Sequence, residues 1–385
     1  MARFLFITWE GGGNQPPAIG TAQELQERGY QVAFAGYASQ HDRFTKLGFR
    51  FSVLRHAQAA YRTEPPDRVM SMLVNAVWAC PQHLRDLPHI LAHEHYDLAV
   101  VDCLMFGALA AAEVAGQPAA VLVHSAAGLL VPPGGPLEQM MIGPVNAVRA
   151  AAGLDAVSSL WEAWTRFPTL CTTIPELDPL AAQVPPSFAY VGPVFERLPA
   201  SGWHAPWPAD DPRPLVLVSF STGRAWDQRS RIQRTLEALA GRSYRVLITT
   251  GMADVTGLAV PENAVLVPQV PHGEIMAQAS VMITHAGHGT VSAALAHGVP
   301  LVCLPNPAAD QPGLAAQVAA LGAGRALDGE LATSLDIAET VEEVLANPSY
   351  VAAARRLAEV IAATPGRATA ATRLEQIAER TTFSG

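Results

Sequence analysis

The chain has 385 residues, too many for one ordinary core and enough for two or three domains at roughly 150 residues each. Half of it is hydrophobic and only 15% is charged, which excludes extensive disorder. The 25 Lys and Arg against 34 Asp and Glu leave a net charge of −9, which argues against a general nucleic-acid or anionic-membrane binder. It does not forbid a local phosphate site built from backbone N–H groups. Four scattered cysteines, Cys80, Cys103, Cys171 and Cys303, form no Cys-x-x-Cys pair and suit free thiols in a reducing cytoplasm. The first apolar run, Phe4 to Ile7, is too short for a signal peptide, and no run approaches the ~18 apolar residues of a membrane span. A soluble cytoplasmic protein is expected.

Phe4–Thr8 reads as a strand, Glu10–Asn14 as a glycine turn, and Pro17–Arg28 as a helix with proline near its start and Gly29 beyond its end. Strands follow at Gln31–Ala35, at Leu98–Val101 before Asp102, and at Ala119–Val123, with a helix from about Gly107 to Ala115. Strands apolar on both faces that alternate with helices indicate a parallel sheet covered on both sides. The stretch from about Pro132 to Pro186 is proline-rich and reads as less regular, with aromatic helix pieces such as Trp161–Trp164. Pro199 to Pro208 reads as a linker, with Asp210-Asp211-Pro212 close to the second domain. The alternation then restarts. Strands are expected at Leu215–Phe220, Arg245–Thr249, Ala264–Val267, Val281–Thr284 and Leu301–Leu304. Helices are expected at Arg229–Leu239, Thr290–His297, Ala316–Leu321, Ile337–Ala346, Tyr350–Ala363 and Ala368–Arg380. The predicted class is α/β, two tandem Rossmann-like doubly wound domains with a ligand cleft between them. The domains are placed at residues 1–200 and 201–365, the final helix of about 366–385 packing back on the first.

Three loops carry chemistry. Gly11-Gly12-Gly13-Asn14 lacks the G-x-G-x-x-G spacing, and the second strand ends in Ala35-Gly36-Tyr37 without an acidic residue, so a NAD enzyme is disfavoured. Alone, this loop is equally well a tight strand–helix turn. Ile283-Thr284-His285-Ala286-Gly287-His288-Gly289-Thr290 follows an apolar strand and opens a helix, where free N–H groups suit phosphate oxygens and His285 can add a donor. Without a P-loop lysine, nucleoside triphosphatase chemistry is disfavoured. One strand on, Asp310-Gln311 sets a carboxylate beside an amide, a pair suited to hydroxyls that both donate and accept. The last two loops together suggest a sugar attached to a diphosphate.

Val267-Pro268-Gln269, the His285–Thr290 loop and Asp310-Gln311 together resemble the donor-binding signature of GT-B glycosyltransferases, especially the actinobacterial macrolide and antibiotic type, kin of the UDP-glycosyltransferases. The glycine turn, Asp102, Tyr190-Val191-Gly192-Pro193 and Val218–Thr222 extend the resemblance over nearly the whole chain. It implies that His285, Gly287, His288, Gly289 and Thr290 hold the donor diphosphate, helped by Ser221 and Thr222. Asp310 and Gln311 would read sugar hydroxyls, and Val267 with Gln269 would meet base and ribose. Residues 1–200 would bind the acceptor and 201–365 the donor, a UDP- or dTDP-sugar acting as co-substrate, with no other cofactor and no metal.

Two departures stand out. Leu266 occupies a place where many relatives carry tryptophan, and Gly13-Asn14-Gln15-Pro16-Pro17 replaces the usual Gly-His-x-x-Pro. An amide cannot take a proton at neutral pH, so Asn14 is an orienting group and not a base. The catalytic candidates are Asn14, Asp102 and Glu10, with His124 a further candidate base and Gly13 beside it in the acceptor region. Met70–Trp78 and Met140–Trp164 supply apolar surface for an acceptor, although most of these residues read equally as core.

The expected activity is inverting, metal-independent transfer of a sugar onto a hydrophobic natural-product acceptor. Two other readings stay open: a nucleotide-sugar epimerase of the same fold, and a non-catalytic partner of a glycosyltransferase. The sequence leaves the sugar, the attacking atom and a homodimeric state undecided.

Overall fold

The structure is a computed structural model and describes residues 2–61, 68–199, 203–208, 210–220, 227–270, 272–307 and 310–382. The chain forms two compact units, one of residues 1–196 with 364–385 and the other of residues 197–363.

The first unit holds a seven-stranded sheet. Its strands are β1 (Arg3–Ile7), β2 (Gln31–Gly36), β3 (Arg50–Val53), β4 (Leu98–Asp102), β5 (Ala119–Val123), β6 (Thr169–Cys171) and β7 (Phe188–Tyr190). All pair in parallel, in the order β3-β2-β1-β4-β5-β6-β7. Alternation along each strand feeds two cores. Phe4 and Phe6 of β1 with Leu98 and Val100 of β4 pack on one face, and Leu5, Ile7, Ala99 and Val101 pack on the other. Burial on both faces is what makes these strands continuous apolar runs in sequence.

The helix Gly366–Thr382 covers the Phe4 face with Ala370, Ala371, Leu374 and Ala378, against Ala18, Ile19, Ala22 and Leu25 of the helix Gln15–Glu27. Two glycines admit the returning chain. A side chain at Gly192 would stand 2.2 Å from the Thr364 carbonyl oxygen, and one at Gly366 would stand 2.1 Å from that of Pro193. The Gly192-Pro193 pair is therefore a close-packing device.

The second unit repeats the plan with β8 (Leu215–Ser219), β9 (Arg245–Thr249), β10 (Ala264–Val267), β11 (Val281–Thr284), β12 (Leu301–Cys303) and β13 (Gly324–Ala326). They pair in parallel in the order β10-β9-β8-β11-β12-β13. In each sheet the order reverses beside the first strand, between β1 and β4 and between β8 and β11. Ligands of doubly wound sheets bind beyond the strands' carboxyl ends at such a point.

The segment around Pro132–Pro186 corrects the sequence reading. It holds a sixteen-residue helix, Pro136–Ala151, then a short helix, Leu160–Thr165, and the strands β6 and β7. Pro136 sits in the first turn, where its missing N–H costs nothing, and Pro144 is accommodated in the interior while Met141, Val145 and Val148 stay buried. Proline was a poor guide there.

Candidate active site

Asp102 ends β4 at the switch point of the first sheet and is 5% exposed. Four donors surround its carboxylate. Oδ1 accepts from Trp9 Nε1 at 3.1 Å and from the Leu104 N–H at 3.0 Å. Oδ2 accepts from Asn14 Nδ2 at 3.1 Å and lies 3.2 Å from His124 Nδ1. His124 follows β5, the neighbour of β4, so parallel pairing brings the two side chains together.

Asn14 is turned inward. It is 2% exposed, its Oδ1 accepts from the Gly11 N–H at 3.1 Å, and its Nδ2 also reaches Thr8 Oγ1 at 3.2 Å and the Trp9 carbonyl at 3.0 Å. These bonds use the amide to fold the glycine turn and to steady Asp102. The indole of Trp9 lies where a side chain at Gly11 would stand, 2.6 Å away, and Gly12 has φ +80°, so the turn depends on both glycines. Glu10 and Gly13 are exposed on the same loop.

The His124 ring is mostly buried, its side chain 13% exposed. Its described contacts fall on Nδ1, which also approaches Cys103 Sγ at 3.5 Å. Burial opposes the imidazolium, yet the Cys103 sulfur and the Asp102 carboxylate outweigh it and raise the pKa well above the ordinary value. Burial pushes the Cys103 thiol up, with His124 pulling it the other way. Asp102, Cys103 and His124 each bring a potential metal-ligand atom within 4.8 Å of the others. A proton on Nδ1 would pair the ring with Asp102, and an ion at this position would need the same Nδ1 lone pair instead.

In the second unit the His285 loop follows β11 and opens the helix His288–Ala296, with Gly287 at its N-cap. Ala286 has φ +60°, a left-handed conformation that non-glycine residues seldom adopt and that often marks functional loops. A side chain at Gly287 would stand 2.4 Å from His285 Nε2, so glycine lets the ring lie against the loop. His288 is buried and pairs with Ser292 Oγ at 3.3 Å, while Gly289 is exposed and Thr290 half-buried. The first-turn N–H groups of this helix offer the positive end of its dipole. Val267 ends β10 half-buried, and Gln269 beyond it is exposed.

Asp310 and Gln311, both half-buried, start the helix that follows β12. Gln311 Oε1 accepts from the Asn306 backbone N–H at 3.1 Å and from Asn306 Nδ2 at 2.9 Å. Asn306 Oδ1 in turn accepts from Arg231 Nη1 at 2.7 Å. Sequence reading missed both Arg231 and Asn306. Ser221 and Thr222 lie outside the described residues.

Two parallel α/β units of this kind are the GT-B glycosyltransferase architecture. Over 98% of this chain and 98% of the other, it superposes on the glycosyltransferase of kitacinnamycin with a TM-score of 0.82 at 22% identity. Residues 233–377 match the C-terminal domain model described as erythromycin biosynthesis protein CIII-like. Among curated relatives, 4'-demethylrebeccamycin synthase of Lentzea aerocolonigenes is 27% identical over 94% of this chain and 96% of its own length. Demethyllactenocin mycarosyltransferase of Streptomyces fradiae is 25% identical over 80% of this chain and 71% of its own. The fold is GT-B, and the chain is a glycosyltransferase similar over most of its length to antibiotic-type enzymes. No helix among the described residues is long and apolar enough to cross a membrane.

Proposed function

We propose that this glycosyltransferase moves a sugar from a UDP- or dTDP-linked donor to a hydrophobic natural-product acceptor, inverting the anomeric carbon and needing no divalent metal. The first unit binds the acceptor and the second the donor. His124 is the general base. Its Nε2 takes the proton of the acceptor hydroxyl as that oxygen bonds to the anomeric carbon, the bond to the diphosphate breaks, and the diphosphate leaves with the electron pair. Asp102 fixes the ring and stabilises the imidazolium that forms. The leaving diphosphate is met by His285 and the N-terminus of the helix His288–Ala296, which supply charge stabilisation without a cation.

The observation that carries this reading is the 3.2 Å pairing of His124 Nδ1 with Asp102, beside a glycine turn whose own polar side chain is an amide. The base is thus supplied by the strand next door. His124→Gln should lower kcat by about 10²–10⁴-fold with an alcohol acceptor and leave UDP and dTDP affinity unchanged. Undiminished turnover in that variant, or activity abolished by EDTA and restored by magnesium, refutes the corresponding part.

A further inference from the structure

The Arg231–Asn306–Gln311 chain fixes the sense of a hydrogen bond. A guanidinium only donates, so the Asn306 atom 2.7 Å from Arg231 Nη1 is its oxygen. Asn306 therefore turns its NH₂ to Gln311, and that NH₂ and the Asn306 backbone N–H converge on one Gln311 atom, Oε1. With Oε1 engaged, the amide atom left to Gln311 for a ligand is Nε2, which carries two hydrogens and no lone pair for accepting. Arg231 cannot easily turn away. It is 4% exposed, its Nε donates to the Gly329 carbonyl at 3.2 Å, and its guanidinium lies 5.6 Å above the Phe220 ring. Asn306 is fully buried. A free glutamine amide turns over to suit its ligand; this one is held.

We propose that Arg231 and Asn306 are positioning residues that make Gln311 a donor-only reader of the sugar. The inference rests on the proposed reading that Gln311 faces the donor sugar. An NH₂ that only donates is satisfied by a hydroxyl oxygen and is opposed by a protonated amine, which also only donates. The donor class selected at this contact is therefore a sugar with a hydroxyl there, and a sugar with an ammonium group in its place is rejected. An ammonium that leaves the Gln311 N–H groups without an acceptor forfeits a hydrogen bond the site is built to make.

Calorimetry on the full chain at pH 7 tests this without an acceptor. The probes are UDP-glucose and dTDP-glucose, and analogues in which the hydroxyl at C2, C3 or C4 is replaced by an amine. Free UDP and dTDP serve as reference. In the unmodified chain, the amine at one of these positions should weaken binding by about 10-fold or more. Asn306→Asp sets a carboxylate oxygen against Gln311 Oε1 while still accepting from Arg231. It should reduce that loss, the Asn306 backbone N–H being the one donor still favouring Oε1, and leave free diphosphate binding unchanged. Asn306→Ser removes the amide bond without adding charge and should reduce the loss in the same direction. Arg231→Lys, still a donor to Asn306, should retain the discrimination. Equal affinity for all amines and hydroxyls in the unmodified chain overturns the proposal. So does full discrimination in both Asn306 variants. If Gln311→Ala leaves the whole panel of affinities as they were, Gln311 does not face the sugar and the underlying reading fails. If Gln311→Ala changes the panel but the Asn306 variants do not, only the positioning relay fails.

Discussion

A buried carboxylate with four donors is held in one orientation, and His124 inherits that orientation through Nδ1. A general base works when it has lost its proton, so transfer should rise with pH through a midpoint above the ordinary imidazole value, the direction in which His124 is shifted. Asp102→Asn removes the anion that favours the imidazolium. The acid limb of the pH–rate profile should then move to lower pH while the plateau falls; an unmoved limb would show that another group sets it. Asn14→Ala strips the amide from Asp102 and from its own turn. Leaving those buried groups unpaired should cost about 1–3 kcal/mol in urea unfolding, with donor affinity intact. A second histidine affects stability by a different route. His83 is 1% exposed, its ring 3.3 Å from the Tyr37 hydroxyl, and burial lowers its pKa to about 4. The unfolded chain therefore binds this proton first as pH falls, and stability should drop by on the order of 3 kcal/mol between about pH 6.5 and pH 4. Denaturant curves for His83→Gln should lack that part of the slope.

Elements with strong apolar patterns were legible in the sequence, and long-range pairings were not. The strands Ala119–Val123, Arg245–Thr249, Ala264–Val267 and Val281–Thr284 have the bounds that their apolar runs indicate. The helix Pro136–Ala151 was hidden by prolines whose effect depends on where in a helix they fall. Asp102 and His124 each stood out as strand-end residues, but their contact needs the pairing of β4 with β5, which local pattern does not give. Arg231 and Asn306 are 75 residues apart, and one of three arginines on an amphipathic helix carries no mark of a partner in another loop. The helix Gly366–Thr382 was visible as a helix, and its role comes from Leu374, fully buried against the first sheet. Leu374→Ala should cost about 2–5 kcal/mol. Hydrogen exchange should then quicken in β1, β2 and the helix Gln15–Glu27 while β8–β13 keep their protection. A uniform rise across both units would mean that they unfold as one.

At the scale of the whole molecule, the two sheets repeat one strand order and place their candidate residues at corresponding switch points. The proposed division of labour has a direct consequence for exchange protection. UDP or dTDP at 100 times Kd should stabilise its own unit by about 2.7 kcal/mol. Slower exchange is expected after β11 and β12, with the loops after β1, β4 and β5 unchanged. The first unit is also written in two pieces of sequence, with the second unit inserted between Glu196 and Thr364. Arg28 donates to the carbonyl of Ala368, 340 residues later, and to Glu375 in the same helix. At ribosomal rates of about 5–20 residues per second, that partner follows roughly 20–70 s behind. During this interval Ala18, Ile19, Ala22 and Leu25 lack the cover of the last helix, and the inserted unit is fully synthesised before that helix begins. The half of the enzyme that emerges first is thus the half that finishes folding last, and its nascent apolar face is where a chaperone would be needed.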